Sequence, residues 1–156
     1  MAQITVNGIS VEYQLHGPQD GPPLVFIAGM GGAGSFWAPQ LDAFIRSYRV
    51  LVYDQRGTGG TERVKVDSIE QLAEDLIALM RKLDILDAHL VGHSTGGAIA
   101  MVVAERARTG ALSGAVCQCA SGRCLSAPGL GLTQADPSAA GARSLRANHI
   151  AVLLSA

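Results

Sequence analysis

The sequence predicts an α/β fold, with an N-terminal hairpin leading into a mostly parallel sheet that carries helices on both faces. Apolar runs of strand length alternate with helix-period segments after residue 20. The connections are short, which implies right-handed crossovers onto a parallel sheet. Glycine-rich stretches at 29–34, 54–60 and 92–97 each follow a strand-like run. They therefore gather at the carboxyl ends of the strands, where ligands bind in such sheets.

Residues 4–6 and 9–15 are β-rich and joined by Asn7-Gly8, a dipeptide suited to the two positive-φ positions of a type I′ turn. Residues 24–28 (LVFIA) and 48–53 (YRVLVY) read as strands buried on both faces. A short helix is expected over about 36–47. The clearest helix spans 68–83: Ser68 and Gln71 have capping-box spacing, and Ile69, Leu72, Leu76, Met80 and Leu83 fall on one stripe. Residues 88–91 form a short strand. The run 98–104 (AIAMVVA) predicts a helix that is apolar on nearly every side and therefore buried.

At 156 residues, 48% hydrophobic and 16% charged, the chain is long and apolar enough for one globular core. A net charge of −1 gives no reason to expect nucleic acid or an anionic membrane as partner. The first residues lack a basic segment followed by an apolar stretch, and no apolar run reaches membrane length, so a cytoplasmic protein is expected. Cys117, Cys119 and Cys124 crowd together in a spacing that fits no zinc site, so free thiols and no metal are expected. Composition shifts sharply near residue 105. Residues 1–105 carry net −5 and every aromatic side chain, while 106–156 carry net +4 and are rich in Ala, Gly, Ser and Arg. The chain is accordingly divided at 105, with 106–156 an atypical segment expected to be poorly ordered.

The chemistry points to residues 92–96. Gly92-His93-Ser94-Thr95-Gly96 matches G-x-S-x-G, and it follows an apolar strand and opens a helix, the context that pattern requires. A serine there sits in a strained strand-to-helix turn; glycines two residues to either side let backbone approach without a Cβ clash. Acyl transfer also needs two backbone N–H groups aimed at the developing oxyanion. Thr95, directly after the serine, would give one. The loop after strand 24–28 would give the other, from Met30. The plainer alternative is a glycine-rich turn with an ordinary serine, or an anion site at a helix start. Dinucleotide binding fits poorly, since the loop after the first parallel strand reads GMGGAG at 29–34.

Residues 27–37 (IAGMGGAGSFW), 53–59 (YDQRGTG) and 91–97 (VGHSTGG) resemble, in order and spacing, the three signature segments of α/β-hydrolases. The likeness covers about residues 9–105. Within that superfamily the chain looks most like the 3-oxoadipate enol-lactonase and aminoacrylate hydrolase group. The resemblance implies a partial α/β-hydrolase fold whose C-terminal part is missing. It also implies a serine hydrolase of carboxylic esters, lactones or related acyl substrates, with a small ester-like molecule as substrate and no cofactor. Carried over by position, Ser94 is the nucleophile, Gly92 and Gly96 are the elbow glycines, and the N–H groups of Met30 and Thr95 form the oxyanion hole. Serine at 94 speaks against the related dehalogenases and epoxide hydrolases, which use aspartate there. Ala28 stands where many relatives have a non-catalytic His, and Asp54 and Arg56 match a segment that is chiefly structural in relatives.

The family's triad runs Ser, then Asp or Glu, then His along the chain. The only Asp and His after the elbow are Asp136 and His149, and neither lies in a context resembling the family's acid or His loop. The triad acid and His are thus expected to be absent from this chain, which would leave it truncated and inactive. His93 is adjacent to the nucleophile and is expected to be packed, His16 is expected to be structural or exposed in the turn before the buried strand, and His89 to lie at the opposite end of the sheet from the elbow. A non-catalytic small-molecule binding module on the same fold is the alternative.

Overall fold

The computed structural model describes residues 1–107. The Cys117–Cys124 cluster, Asp136, His149 and nearly all of the segment expected to be poorly ordered lie outside the described residues. Five strands form one sheet in the order β1-β2-β4-β3-β5: β1 Ala2–Val6, β2 Ile9–His16, β3 Pro23–Ile27, β4 Arg49–Tyr53 and β5 His89–Gly92. β1 pairs antiparallel with β2 and β2 with β4, while β3 runs parallel to both β4 and β5. The hairpin turn has Asn7 at φ 47° and Gly8 at φ 80°, the two left-handed positions of a type I′ turn, and Val6 faces Ile9 across it.

Period-two alternation sorts the strand side chains into two cores. Val25, Ile27, Leu51, Tyr53 and Leu90 point to one face, under α2 (Ile69–Lys82) and α3 (Thr95–Ala107). Leu24, Phe26, Val50 and Val52 point to the other, under Trp37 and α1 (Ala38–Phe44). The helix expected over about 36–47 is shorter and begins as a 3-10 turn, Gly34–Trp37, with Pro39 in the first turn of α1, where its missing N–H costs no hydrogen bond.

α2 begins where its cap predicts: Ser68 Oγ accepts the Gln71 N–H at 3.1 Å. The reciprocal arm differs from the capping box, since Gln71 Oε1 accepts from the Asp67 N–H, one residue earlier. α3 is buried on one side only. Ile99, Ala100 and Val103 are inaccessible, whereas Met101 and Val102 are half-buried; among the described residues the helix packs chiefly against α2, β5 and β3. No described helix is long and apolar enough to cross a membrane.

Candidate active site

β5 ends at Gly92 and α3 begins at Thr95, so the chain reverses within two residues. Ser94 lies at φ 54°, in the left-handed region that residues with a Cβ adopt only under constraint. The constraint is visible on both sides. The His93 N–H donates to Ile27 O at 3.0 Å, carrying the β3–β5 ladder into the turn, and the Gly96 and Gly97 N–H groups donate to His93 O and Ser94 O. A Cβ on Gly92 would strike the Gly96 backbone, and one on Gly96 would strike the Ile27 and Ala28 carbonyls. Both glycines are required by close approach of backbone rather than by their own φ. Ser94 is half-buried. Thr95, first in α3, has no intrahelical partner for its N–H.

The loop after β3 lies against this turn. A Cβ on Gly29 would sit 3.2 Å from His93 Nδ1 and 3.4 Å from Ser94 Cβ, so the Gly29–Met30 peptide passes beside the serine. The Gly32 N–H closes a turn onto Gly29 O at 2.9 Å, with Gly31 at φ 65°. Met30 rides on this turn with its side chain 85% exposed. The structure thus brings together Met30, Gly92, Ser94, Thr95 and Gly96, the residues singled out in the sequence.

The histidines are arranged differently. Through the strand registers, His16 pairs with Val50, Val50 with Leu24 and Leu24 with His89, so His16 and His89 share one row across the sheet. That row lies at the start of the parallel strands, about 10 Å or more from the elbow at 3.3 Å per residue. His93 is at the elbow, but its ring packs on Phe36, with centroids 4.9 Å apart. Phe36 in turn meets Trp37 edge-on, and Trp37 stacks on Phe26. Sequence reasoning did not single out Phe36; its partner lies 57 residues away, and no local pattern marks it.

The residues after β4 serve as supports. The Asp54 carboxylate is 6% exposed and accepts the Gly34 N–H at 2.7 Å and the Gly60 N–H at 2.8 Å. Gln55, also missed, is 3% exposed and donates from Nε2 to Ala28 O at 2.7 Å. Arg56 pairs not with Asp54 but with Asp75 of α2, at 2.7 and 2.9 Å, and Asn7 adds a third bond to the same carboxylate at 2.9 Å. The hydrogen bonds it donates to Asp75 hold the Arg56 guanidinium even more firmly protonated than usual, and burial pushes the neighbouring Tyr53 phenol well above the ordinary tyrosine range. This network joins the hairpin turn, the loop after β4 and α2 into one frame. Among the described residues, no group of three His, Cys, Asp or Glu side chains is placed to hold a metal ion. A cavity of about 440 Å³ opens beside Gly34 and Asp54, but Met30, Ser94 and Thr95 are not in its lining.

Comparison with known proteins gives the family and the fold. The alpha/beta hydrolase fold family matches residues 22–145. The "Putative carbamate hydrolase RutD" of Stutzerimonas stutzeri (strain A1501) is 43% identical over 98 residues, which is 60% of this chain and 37% of that protein. The protein of the same name from Caulobacter sp. (strain K31) is 38% identical over 64% of this chain and 38% of its own length. This chain therefore spans less than two-fifths of the length of these curated relatives. Among solved structures, the enol-lactonase from Burkholderia xenovorans LB400 superposes with a TM-score of 0.66 at 35% identity, covering 72% of this chain and 45% of that one. A hydrolase from Pseudomonas aeruginosa PA01 gives 0.68 at 30% identity, covering 74% and 44%. The chain belongs to the alpha/beta hydrolase fold family.

Proposed function

We propose that this chain carries the nucleophile and oxyanion hole of a serine hydrolase that cleaves carboxylic esters, lactones or related acyl compounds through an acyl-enzyme. Ser94 Oγ attacks the substrate carbonyl, and the N–H groups of Met30 and Thr95 hold the oxyanion that forms. Collapse of that intermediate expels the alcohol and leaves an ester on Ser94, which water then cleaves. The observation that carries this reading is the positive φ of Ser94 at a strand-to-helix reversal with the Gly29–Met30 peptide against it. The substrate class draws on the relatives: an enol-lactonase and a protein named for carbamate hydrolysis both take a carbonyl bonded to a heteroatom. No metal or organic cofactor enters these steps.

The general base and its orienting acid are taken to be absent from this 156-residue chain, because neither Asp136 nor His149 lies in a context resembling the family's acid or His loop. His16 and His89 lie at the wrong end of the sheet, and His93 is committed to Phe36. Loss of a triad member costs about 10⁴ to 10⁶ in rate, so the 156-residue polypeptide assayed alone is expected to show little triad-dependent turnover.

Both halves are tested on purified protein. Prolonged exposure to a fluorophosphonate, read by intact mass and peptide mapping, is expected to give one adduct at Ser94 that is lost in Ser94→Ala. Adducts spread evenly over other serines would overturn the nucleophile assignment. Hydrolysis of p-nitrophenyl acetate at an ordinary esterase rate, abolished by Ser94→Ala, would overturn the expectation of weak turnover.

A further inference from the structure

We infer that Gln55 is a positioning residue for the oxyanion hole, setting the direction of the Met30 N–H through a relay of two peptide planes. The inference rests on the serine-hydrolase reading of Ser94 and Met30. Gln55 Nε2 donates to Ala28 O at 2.7 Å, and the side chain is 3% exposed. The assignment of Nε2 is chemically forced, since the amide oxygen turned toward a carbonyl would place two acceptors face to face. Holding Ala28 O fixes the plane of the Ala28–Gly29 peptide, because the peptide unit is rigid.

The next plane is fixed from within the loop. Gly29 O accepts the Gly32 N–H at 2.9 Å, and Gly29 O belongs to the same peptide unit as the Met30 N–H. In a trans peptide the N–H points opposite to the C=O, so the Met30 N–H is turned out of the closed turn. A Cβ built on Gly29 would touch Ser94 Cβ, which places that peptide beside the nucleophile. The far end of the loop is held too, by Asp54 Oδ1 accepting the Gly34 N–H at 2.7 Å. Two consecutive residues after β4 thus grip both ends of the 28–34 loop. Of the two, only Gln55 acts on the peptide next to Met30. A donor that is already aimed needs no reorganisation when charge develops, which is where an oxyanion hole gains its effect.

The test uses the full chain, labelled with ¹⁵N, and the variants Gln55→Leu and Gln55→Glu. Gln55→Leu is expected to shift the Gly29 and Met30 amide signals and speed hydrogen exchange over residues 29–32 by about tenfold or more. It should slow fluorophosphonate labelling of Ser94 by a comparable factor. Gln55→Glu is expected to behave like Gln55→Leu once the pH is high enough to ionise its buried carboxyl, whose pKa burial raises, since a carboxylate cannot donate. It should recover wild-type amide positions as pH falls and the carboxyl regains a proton to donate to Ala28 O. Acid recovery in Gln55→Glu but not in Gln55→Leu separates positioning from general loss of packing, and it stands if Gln55→Leu fails to fold.

Unchanged Met30 amide signals in both variants, or no acid recovery in Gln55→Glu, would overturn the relay. Responsive amides with an unchanged rate of Ser94 labelling would overturn its role in the reaction. If Ser94 does not label in the wild type while the amides respond as described, the relay stands as geometry and the serine-hydrolase reading fails.

Discussion

The strain at Ser94 is open to a test that needs no catalysis. Its φ of 54° places a Cβ in the left-handed well, at about 1–2 kcal/mol above the right-handed one. Comparing Ser94→Gly with Ser94→Ala isolates that term. Both variants lose the hydroxyl and whatever it bonds to, and they differ only in the Cβ. Glycine sheds the strain but brings extra unfolded-chain freedom, worth roughly 0.5–1 kcal/mol against it. The net expectation is that Ser94→Gly is the more stable of the two by about 0.5–1 kcal/mol.

In urea unfolding, with slopes of about 1–3 kcal/mol per molar for small proteins, that difference moves the midpoint by a few tenths of a molar. The sign matters more than the size. In an ordinary helical conformation the order reverses, because glycine there is about 1 kcal/mol worse than alanine. Equal slopes with Gly above Ala support the strained elbow. Ala above Gly by ~1 kcal/mol would show that position 94 is relaxed, and the proposed presentation of the nucleophile would fall with it.

Other expectations follow from the same geometry. Gly96→Ala drives a Cβ into the Ile27 and Ala28 carbonyls, which are backbone atoms that cannot swing aside. A loss of about 1–3 kcal/mol is expected, with a urea midpoint equal to wild type counting against the close approach. Asp75→Ala strips the partner from an Arg56 side chain that is 10% exposed and should cost about 3–5 kcal/mol, whereas the double variant Arg56→Met/Asp75→Leu should recover most of it; thermal unfolding of the three proteins checks this. Tyr53 carries a buried hydroxyl with no hydrogen-bond partner among the described residues, so Tyr53→Phe is expected to raise stability by about 1 kcal/mol at neutral pH. Because burial raises the folded-state pKa of Tyr53, its contribution is intact below the ordinary tyrosine value of about 10 and is lost as pH climbs above it. Denaturation curves from pH 8 to 11 should therefore fall less steeply for Tyr53→Phe than for wild type.

What could be read from the sequence was what short range dictates. Asn7-Gly8 announces its turn because few residues accept two consecutive left-handed positions. Ser68 announces α2 because a cap must lie next to the helix it serves. Ser94 is legible because the elbow's steric demands fall on Gly92 and Gly96, two residues to either side. Gln55, Phe36 and Asp75 were illegible for the opposite reason. Their partners Ala28, His93 and Arg56 lie 27, 57 and 19 residues away, and a glutamine one step past a strand gives no sign of which carbonyl it will meet. The one-sided burial of α3 was hidden similarly. An apolar run reports the affinity of a helix for a core, but not how many neighbours the described part of the fold supplies.

The strand order explains why these distant pairs meet at all. β3 lies between β4 and β5, and the three strands are parallel, so their following loops emerge side by side at one edge. The loop after β3, with Met30, is therefore flanked by the loop after β5, which carries Ser94, and by the residues after β4, which include Asp54 and Gln55. One neighbour brings the serine and the other brings the grip. Any permutation that moved β4 away from β3 would leave Gln55 unable to reach Ala28 while Ser94 stayed beside Gly29. The elbow would keep its shape, and the Met30 N–H would lose its fixed direction. On this view the order of β4, β3 and β5 belongs to the proposed site, because it sets Gln55 and Ser94 on opposite sides of the loop that carries Met30.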